Sequence, residues 1–320
     1  MTTIFLILGL IVLAVGAEML VRGGSKLAAV MGISPLVIGL TIVAYGTSSP
    51  EMFVSIQAAV LQQADIAVGN IVGSNIFNVL FILGICALFA PLPVTKKLIK
   101  TDVPIMIGAS LALFLVTLDG NISRWDGLLF LAGIVVYTFS AFFLSRRENK
   151  KIKAEYEKEF GLKKDNSLDL RNVLKYILLI VSGLVFLVVG ARWLVDSAVV
   201  IAKQLGVSEL IIGLTLVAAG TSLPELATSI VATLRKERDI AIGNVVGSNI
   251  FNILGILGVS SLVSKNGIPV SYGLIHFNIP VMVAVAAACL PIFLTRHLIS
   301  RWEGALFLGC YIVYIIYLVR

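Results

Sequence analysis

From Thr2 onward the apolar residues neither alternate nor form a narrow stripe between polar faces. They run together in blocks of about 20, separated by short clusters rich in Lys, Arg, Asp, Gly and Pro. A block of that length matches the ~30 Å of hydrocarbon that an α-helix crosses at 1.5 Å per residue. Backbone polar groups find no water there, so a helix that satisfies them internally is the element each block must form. Ten spans are expected, near 3–21, 37–61, 67–89, 103–118, 125–145, 174–191, 211–234, 240–263, 276–295 and 302–319. The first lacks a basic start and a small-residue cleavage site, so it reads as a retained helix and not a leader.

Composition agrees with an all-α integral membrane protein: 58% of the 320 residues are hydrophobic and 13% charged, with a mean hydropathy of +1.02. The formal net charge of +7 is informative through its distribution. With ten spans, the loops 1–2, 3–4, 5–6, 7–8 and 9–10 collect 20 of the 25 Lys and Arg, and the opposite side collects Arg124, Arg192, Lys203, Lys265 and Arg320. The positive-inside rule makes the crowded side cytoplasmic. A multi-pass plasma-membrane protein with both termini extracellular is therefore expected, with the lipid bilayer as its surroundings and no nucleic acid as a partner. Much of the bias lies in 146–172, a basic stretch too polar to bury a core, read as a solvated cytoplasmic linker that has the composition to touch anionic lipid as an amphipathic helix. It separates a first unit, 1–145, from a second, 173–320. Cys86, Cys289 and Cys310 sit within spans without metal or redox spacing and read as apolar packing. His276 and His297 form no metal-binding pattern.

The chain is written twice. A shift of 174 positions makes 33 of 53 residues identical between 32–84 and 206–258. "SRWDG" at 123–127 returns as "SRWEG" at 300–304. Each unit carries five helices, an odd number, so the second must enter the membrane from the opposite face. Two inverted five-helix repeats are thus expected, the sequence sign of a secondary transporter whose substrate sits where broken helices of the halves meet.

One stretch repeated between the copies is poorly suited to lipid. "GTSSPE" at 46–51 and "GTSLPE" at 220–225 place Glu51 and Glu225 inside apolar blocks, where a carboxylate costs ~2.5–3.5 kcal/mol. No Lys or Arg lies at similar depth in the second, third, seventh and eighth spans. Pro50 and Pro224 lack an N–H and should free the carbonyls of Gly46 and Gly220. Two carboxylates with free carbonyls make an all-oxygen set, suited to hard cations such as Ca²⁺ or Na⁺. "GNIVGSNIFN" and "GNVVGSNIFN" add Asn70, Ser74 and Asn78, and Asn244, Ser248 and Asn252, each trio on one helix face. Gly69, Gly73, Gly243 and Gly247 have the spacing that lets helices approach closely. A second reading makes Ser48-x-x-Glu51 and Ser222-x-x-Glu225 capping boxes that restart broken helices. For Asn78 and Asn252 the corresponding alternative is interhelical hydrogen bonding. Asp65 and Asp239 read as helix N-terminal residues, and Glu18 as a surface partner of Arg22.

These paired motifs resemble the α-repeats of the cation/calcium exchanger superfamily, most closely its prokaryotic sodium/calcium exchangers, over nearly the whole chain. The resemblance implies that Glu51, Glu225 and the main-chain carbonyls of Thr47 and Thr221 form a Ca²⁺ site. It further implies that Ala44, Ser48 and Ser74 line one Na⁺ site and Ala218, Ser222 and Ser248 another, with Asn78 and Asn252 facing the centre. Many exchangers have an Asp at one of these two positions, whereas both are Asn here.

The expected function is exchange of Ca²⁺ for Na⁺ by alternating access, both ions competing for the two glutamates, with no cofactor beyond the transported ions and no obligate protein partner. The alternative is a Ca²⁺/H⁺ antiporter using the same pair. A passive cation channel would need the polar residues to line an open pore. An intramembrane hydrolase is disfavoured because no His set, Ser/Lys pair or Cys nucleophile accompanies the glutamates.

Overall fold

The computed structural model describes residues 2–160, 170–206 and 218–319. It is mostly helical. The rods are α1 (Thr2–Met31), α2 (Pro35–Thr47), α3 (Ser49–Val60), α4 (Ala64–Phe89), α5 (Leu98–Asp119), α6 (Arg124–Phe160), α7 (Leu170–Gln204), α8 (Ala218–Thr221), α9 (Leu223–Leu234), α10 (Arg238–Val263), α11 (Leu274–Leu294) and α12 (Arg301–Val319). Among the described residues eight helices are long and apolar enough to cross a membrane, or nine when α2 and α3, bent by 48° at Ser48, count as one span. The seventh expected span, 211–234, is only partly covered, since 207–217 lie outside the described residues.

Several helices outrun their apolar blocks. α1 continues ten residues past the expected end, α7 runs on to Gln204, and α6 continues through the start of the expected linker to Phe160. The added stretch of α6 is rich in Glu, Lys and Arg, residues of good helix propensity, so a helix begun in lipid has no reason to stop at its edge. Residues 161–169 of the linker lie outside the described part.

Burial separates centre from rim. In α10 and α4, 94% and 78% of the apolar core window is buried, against 11–39% in the other long helices. The rim presents large apolar side chains outward, as at Val136, Phe139 and Phe143 on α6, which is the surface a bilayer requires.

α1 and α7 pack along their length through small residues. A Cβ on Gly16 would fall 2.7 Å from Leu187 N, and one on Gly183 would fall 2.8 Å from Gly16 O. Gly9 lies against Leu194, Gly16 against Leu187 and Gly23 against Ile180, so the two helices run antiparallel. Inside, Gly243 meets the backbone of α2, where a Cβ would lie 2.8 Å from Leu36 O. The segment matching this stretch of α2 in the second copy falls outside the described residues.

Two features were absent from the sequence-based expectation. Wide π-helical turns occupy Gly39–Val43, Asn78–Leu83, Leu98–Asp102, Asn252–Leu257 and Leu274–Asn278. Four two-residue strands, β1 (Leu92–Pro93), β2 (Asn121–Ile122), β3 (Ile268–Pro269) and β4 (Leu298–Ile299), pair antiparallel as β1 with β4 and β2 with β3, tying loops of one half to loops of the other.

Candidate ion-binding centre

The break between α2 and α3 sets the site. Pro50 stands in the first turn of α3 and Pro224 in that of α9, a position where a missing N–H is tolerated. Glu51 and Glu225 follow in the same turns and are fully buried. The expected free carbonyl of Gly46 is not free: Ser49 Oγ donates to it at 2.7 Å. Position 223 is Leu, so Gly220 has no equivalent serine.

Neither capping serine caps. Ser48 and Ser222 are the N-cap residues of α3 and α9 but make no side-chain bond to the following turn. Instead Ser48 Oγ donates to Glu225 Oε1 at 2.7 Å, and Ser222 Oγ donates to Glu51 Oε1 at 2.7 Å. Each carboxylate is thus held by a hydroxyl from the opposite half. Charge-assisted bonds of this kind are the strong ones. Among the described residues the ion pairs involve Glu18 with Arg22 and Arg235, and none involves Glu51 or Glu225.

The remaining oxygens gather around this pair. Ser74 Oγ lies 3.1 Å from Ser222 Oγ and 3.5 Å from Glu51 Oε1, while Ser248 Oγ lies 3.5 Å from the carbonyl of Ala44. The serines therefore group across the halves, Ser74 with Ser222 and Ser248 with Ala44. These contacts join residues that the two expected Na⁺ sets place in different sets. Ala218 lies in α8, its side chain outside the described part. Thr47 and Thr221 sit at the ends of α2 and α8, where their hydroxyls donate to Asn244 Oδ1 at 3.0 Å and Asn70 Oδ1 at 3.4 Å.

Asn70 and Asn244, whose oxygens the sequence offered as neutral ligands, make protein hydrogen bonds through both ends of the amide. Asn70 Nδ2 donates to Glu51 O and Ser55 Oγ, and Asn244 Nδ2 to Glu225 O and Ser229 Oγ, at 3.0–3.3 Å. Their oxygens are occupied by the threonines. Asn78 and Asn252 are different: each amide nitrogen is bonded to an asparagine across the centre, and each Oδ1 is buried without a partner.

Glu51 Oε2, Glu225 Oε2, Asn78 Oδ1 and Asn252 Oδ1 are four buried oxygens with no hydrogen-bond partner, in two repeat-related pairs. Leaving such a group unsatisfied costs roughly 1–3 kcal/mol, more for a charged one. Oxygens of this kind, two of them on carboxylates, form the donor set a hard cation takes. Missed in the sequence were Asn75 and Asn249, which hold the amides of Asn252 and Asn78. They lie within the quoted motifs, and only their three-residue spacing from Asn78 and Asn252 hinted at them.

Apolar helices of membrane-crossing length around an oxygen-lined acidic centre define a multi-pass helical membrane protein with an interior polar core. More specifically, the chain belongs to the sodium/calcium exchanger protein family, whose model matches residues 1–143 and 175–320, a family of transporters. It is 36% identical to the inner membrane protein YrbG of Escherichia coli, covering 98% of this chain and 96% of that one. It is 34% identical to the sodium/calcium exchanger MaX1 of Methanosarcina acetivorans, covering 98% and 97%. A solved structure of the sodium-calcium exchanger NCX_Mj soaked with 10 mM Na⁺ and zero Ca²⁺ superposes with a TM-score of 0.84 at 32% identity, over 98% of each chain.

Proposed function

We propose that this protein is an antiporter that exchanges Ca²⁺ for Na⁺ by alternating access, the ions competing for the Glu51 and Glu225 carboxylates at the centre of two inverted five-helix repeats. The observation that carries the reading is the cross-braced glutamate pair with its four unpartnered oxygens. The relatives named sodium/calcium exchangers support the choice of ions. The antiparallel run of α1 along α7, which the repeat makes equivalents, supports the inversion. The E. coli relative's description as an inner membrane protein supports placement in the cell membrane. The charge bias of the loops supports extracellular termini.

Two ionised glutamates give the centre a charge of about −2, which one Ca²⁺ or two Na⁺ neutralise. A carrier emptied of both would move bare charges through lipid, at a cost of several kcal/mol per ion. Switching sides is therefore efficient only when loaded, and exchange follows from competition at one site. The Thr47 and Thr221 carbonyls, Ser48, Ser222, Ser74, Ser248, Ala44, Ala218, Asn78 and Asn252 complete the oxygen shell around the glutamates.

Radioactive Ca²⁺ uptake into proteoliposomes under outward Na⁺, K⁺ or H⁺ gradients tests this. Na⁺ alone should drive accumulation. Uptake driven by H⁺ and indifferent to Na⁺ would replace the sodium coupling, and uptake independent of every opposing cation would sink antiport.

A further inference from the structure

The carboxylates are held by serines; Asn78 and Asn252 are held by Asn75 and Asn249, at the crossing of α4 and α10. These two are 1% and 2% exposed. Asn75 Nδ2 donates to the main-chain carbonyl of Asn249 at 3.2 Å, and Asn249 Nδ2 donates to the carbonyl of Asn75 at 3.2 Å. A main-chain carbonyl can only accept. The nitrogen side of each amide is thereby fixed against backbone and its oxygen turned away. Each nitrogen's other contact is a methionine sulfur at 3.7 Å, Met282 for Asn75 and Met106 for Asn249, a weak acceptor that does not compete with the carbonyl.

The fixed oxygens then dictate the next pair. Asn252 Nδ2 donates to Asn75 Oδ1 at 2.9 Å, and Asn78 Nδ2 donates to Asn249 Oδ1 at 3.0 Å. An amide oxygen likewise only accepts, so Asn78 and Asn252 must present nitrogen to the ring and oxygen to the other side, where both Oδ1 atoms are buried and unpartnered.

We propose that Asn75 and Asn249 are positioning residues that lock the amides of Asn252 and Asn78, crosswise between the halves, so that the neutral ligands of the centre offer only oxygen to the ion. This rests on the reading of Asn78 and Asn252 as ion ligands. An amide free to turn over would show a cation its N–H dipole in one of two orientations; the ring removes that orientation before the ion arrives. It contributes affinity by preorganisation, without touching the ion.

Double-mutant cycles on Na⁺-driven Ca²⁺ uptake test the pairing. Asn75→Ala should raise the KM for Ca²⁺ by about 10- to 100-fold, the usual cost of losing a group that orients a metal ligand, with a smaller change in kcat. In an Asn252→Ala background Asn75→Ala should raise KM no further, whereas with Asn78→Ala the two effects should multiply. A merely structural Asn75 predicts multiplication in both backgrounds, and that result overturns the proposal. If Asn252→Ala and Asn78→Ala leave KM at its wild-type value, the ligand reading fails first and takes the proposal with it. Should Asn75→Ala not purify as folded protein, the reciprocal cycle of Asn249→Ala with Asn78→Ala reads the same coupling.

Discussion

Ser48 and Ser222 stand where a helix would use them as caps, yet both donate to the carboxylate of the other half. A bond to a charged group is worth about 1.5–3 kcal/mol, so Ser48→Ala and Ser222→Ala should each raise the Ca²⁺ KM by roughly tenfold or more, and by similar factors because each loses the same 2.7 Å bond to the carboxylate of the other half. Kinetics of Ca²⁺ uptake at saturating internal Na⁺ would read this, and a tenfold asymmetry would break the equivalence. Glu51→Gln or Glu225→Gln removes a charge the ion must neutralise and should abolish uptake; normal flux in either would move the site elsewhere. Protons bind the same carboxylate oxygens, so at fixed low Ca²⁺ uptake should fall as pH drops below neutral and recover when Ca²⁺ is raised. Uptake curves across pH at low and saturating Ca²⁺ check the sign, and an acid loss that Ca²⁺ cannot reverse would place the titration outside the site. Glu51 and Glu225 were legible in the sequence because a carboxylate in an apolar block has few explanations. The partner of Ser48 and the role of Asn75 were not, since they depend on residues some 170 to 180 positions away along the chain.

α2 and α3 show what one proline does to an element. Pro50 ends hydrogen bonding back to Gly46, and the span bends by 48° at Ser48. Ser49 then takes the vacated carbonyl, which lowers the cost of the break but does not mend it. Pro50→Ala restores the N–H and should raise the melting temperature in detergent while lowering uptake, because a straighter α2–α3 would carry Glu51 away from Ser222; an unchanged flux with a higher melting temperature would show the bend is dispensable. The α1–α7 pair makes the complementary case. A Cβ at Gly183 would lie 2.8 Å from Gly16 O and Leu20 N, backbone atoms that cannot step aside. Gly183→Val should therefore destabilise the protein by about 1–3 kcal/mol, visible as a lower melting temperature, while the same change at Gly309, with nothing within 4 Å among the described residues, should not. Apolar block length announced the helices because a bilayer has one thickness. It could not announce the π turns, the polar extension of α6 or the run of α7 to Gln204, which depend on local packing and on helix propensity beyond the lipid edge.

Among the described residues several contacts come in exchanged pairs: Ser48 with Glu225 and Ser222 with Glu51, Thr47 with Asn244 and Thr221 with Asn70, β1 with β4 and β2 with β3. A surface that meets its own equivalent reciprocally is the mark of a two-fold arrangement, here within one chain. If the axis lies in the membrane plane, equivalent turns must open on opposite sides. Gln62 and Lys236 are such a pair, both exposed and both at positive φ, 59° and 65°, in the turns that join α3 to α4 and α9 to α10. If the loops are oriented as their charge bias suggests, Lys236 would face the cytoplasm and Gln62 the outside. Trp125 and Trp302, both strongly exposed at the starts of α6 and α12, would then anchor the two interfaces in the same way. In a background with Cys86, Cys289 and Cys310 replaced by serine, Gln62→Cys should react with a membrane-impermeant maleimide in intact cells, and Lys236→Cys only after the membrane is opened. Labelling of both from the same side would leave the duplication intact but make the repeats parallel, and would remove the common midplane at which Glu51 and Glu225 are proposed to share an ion.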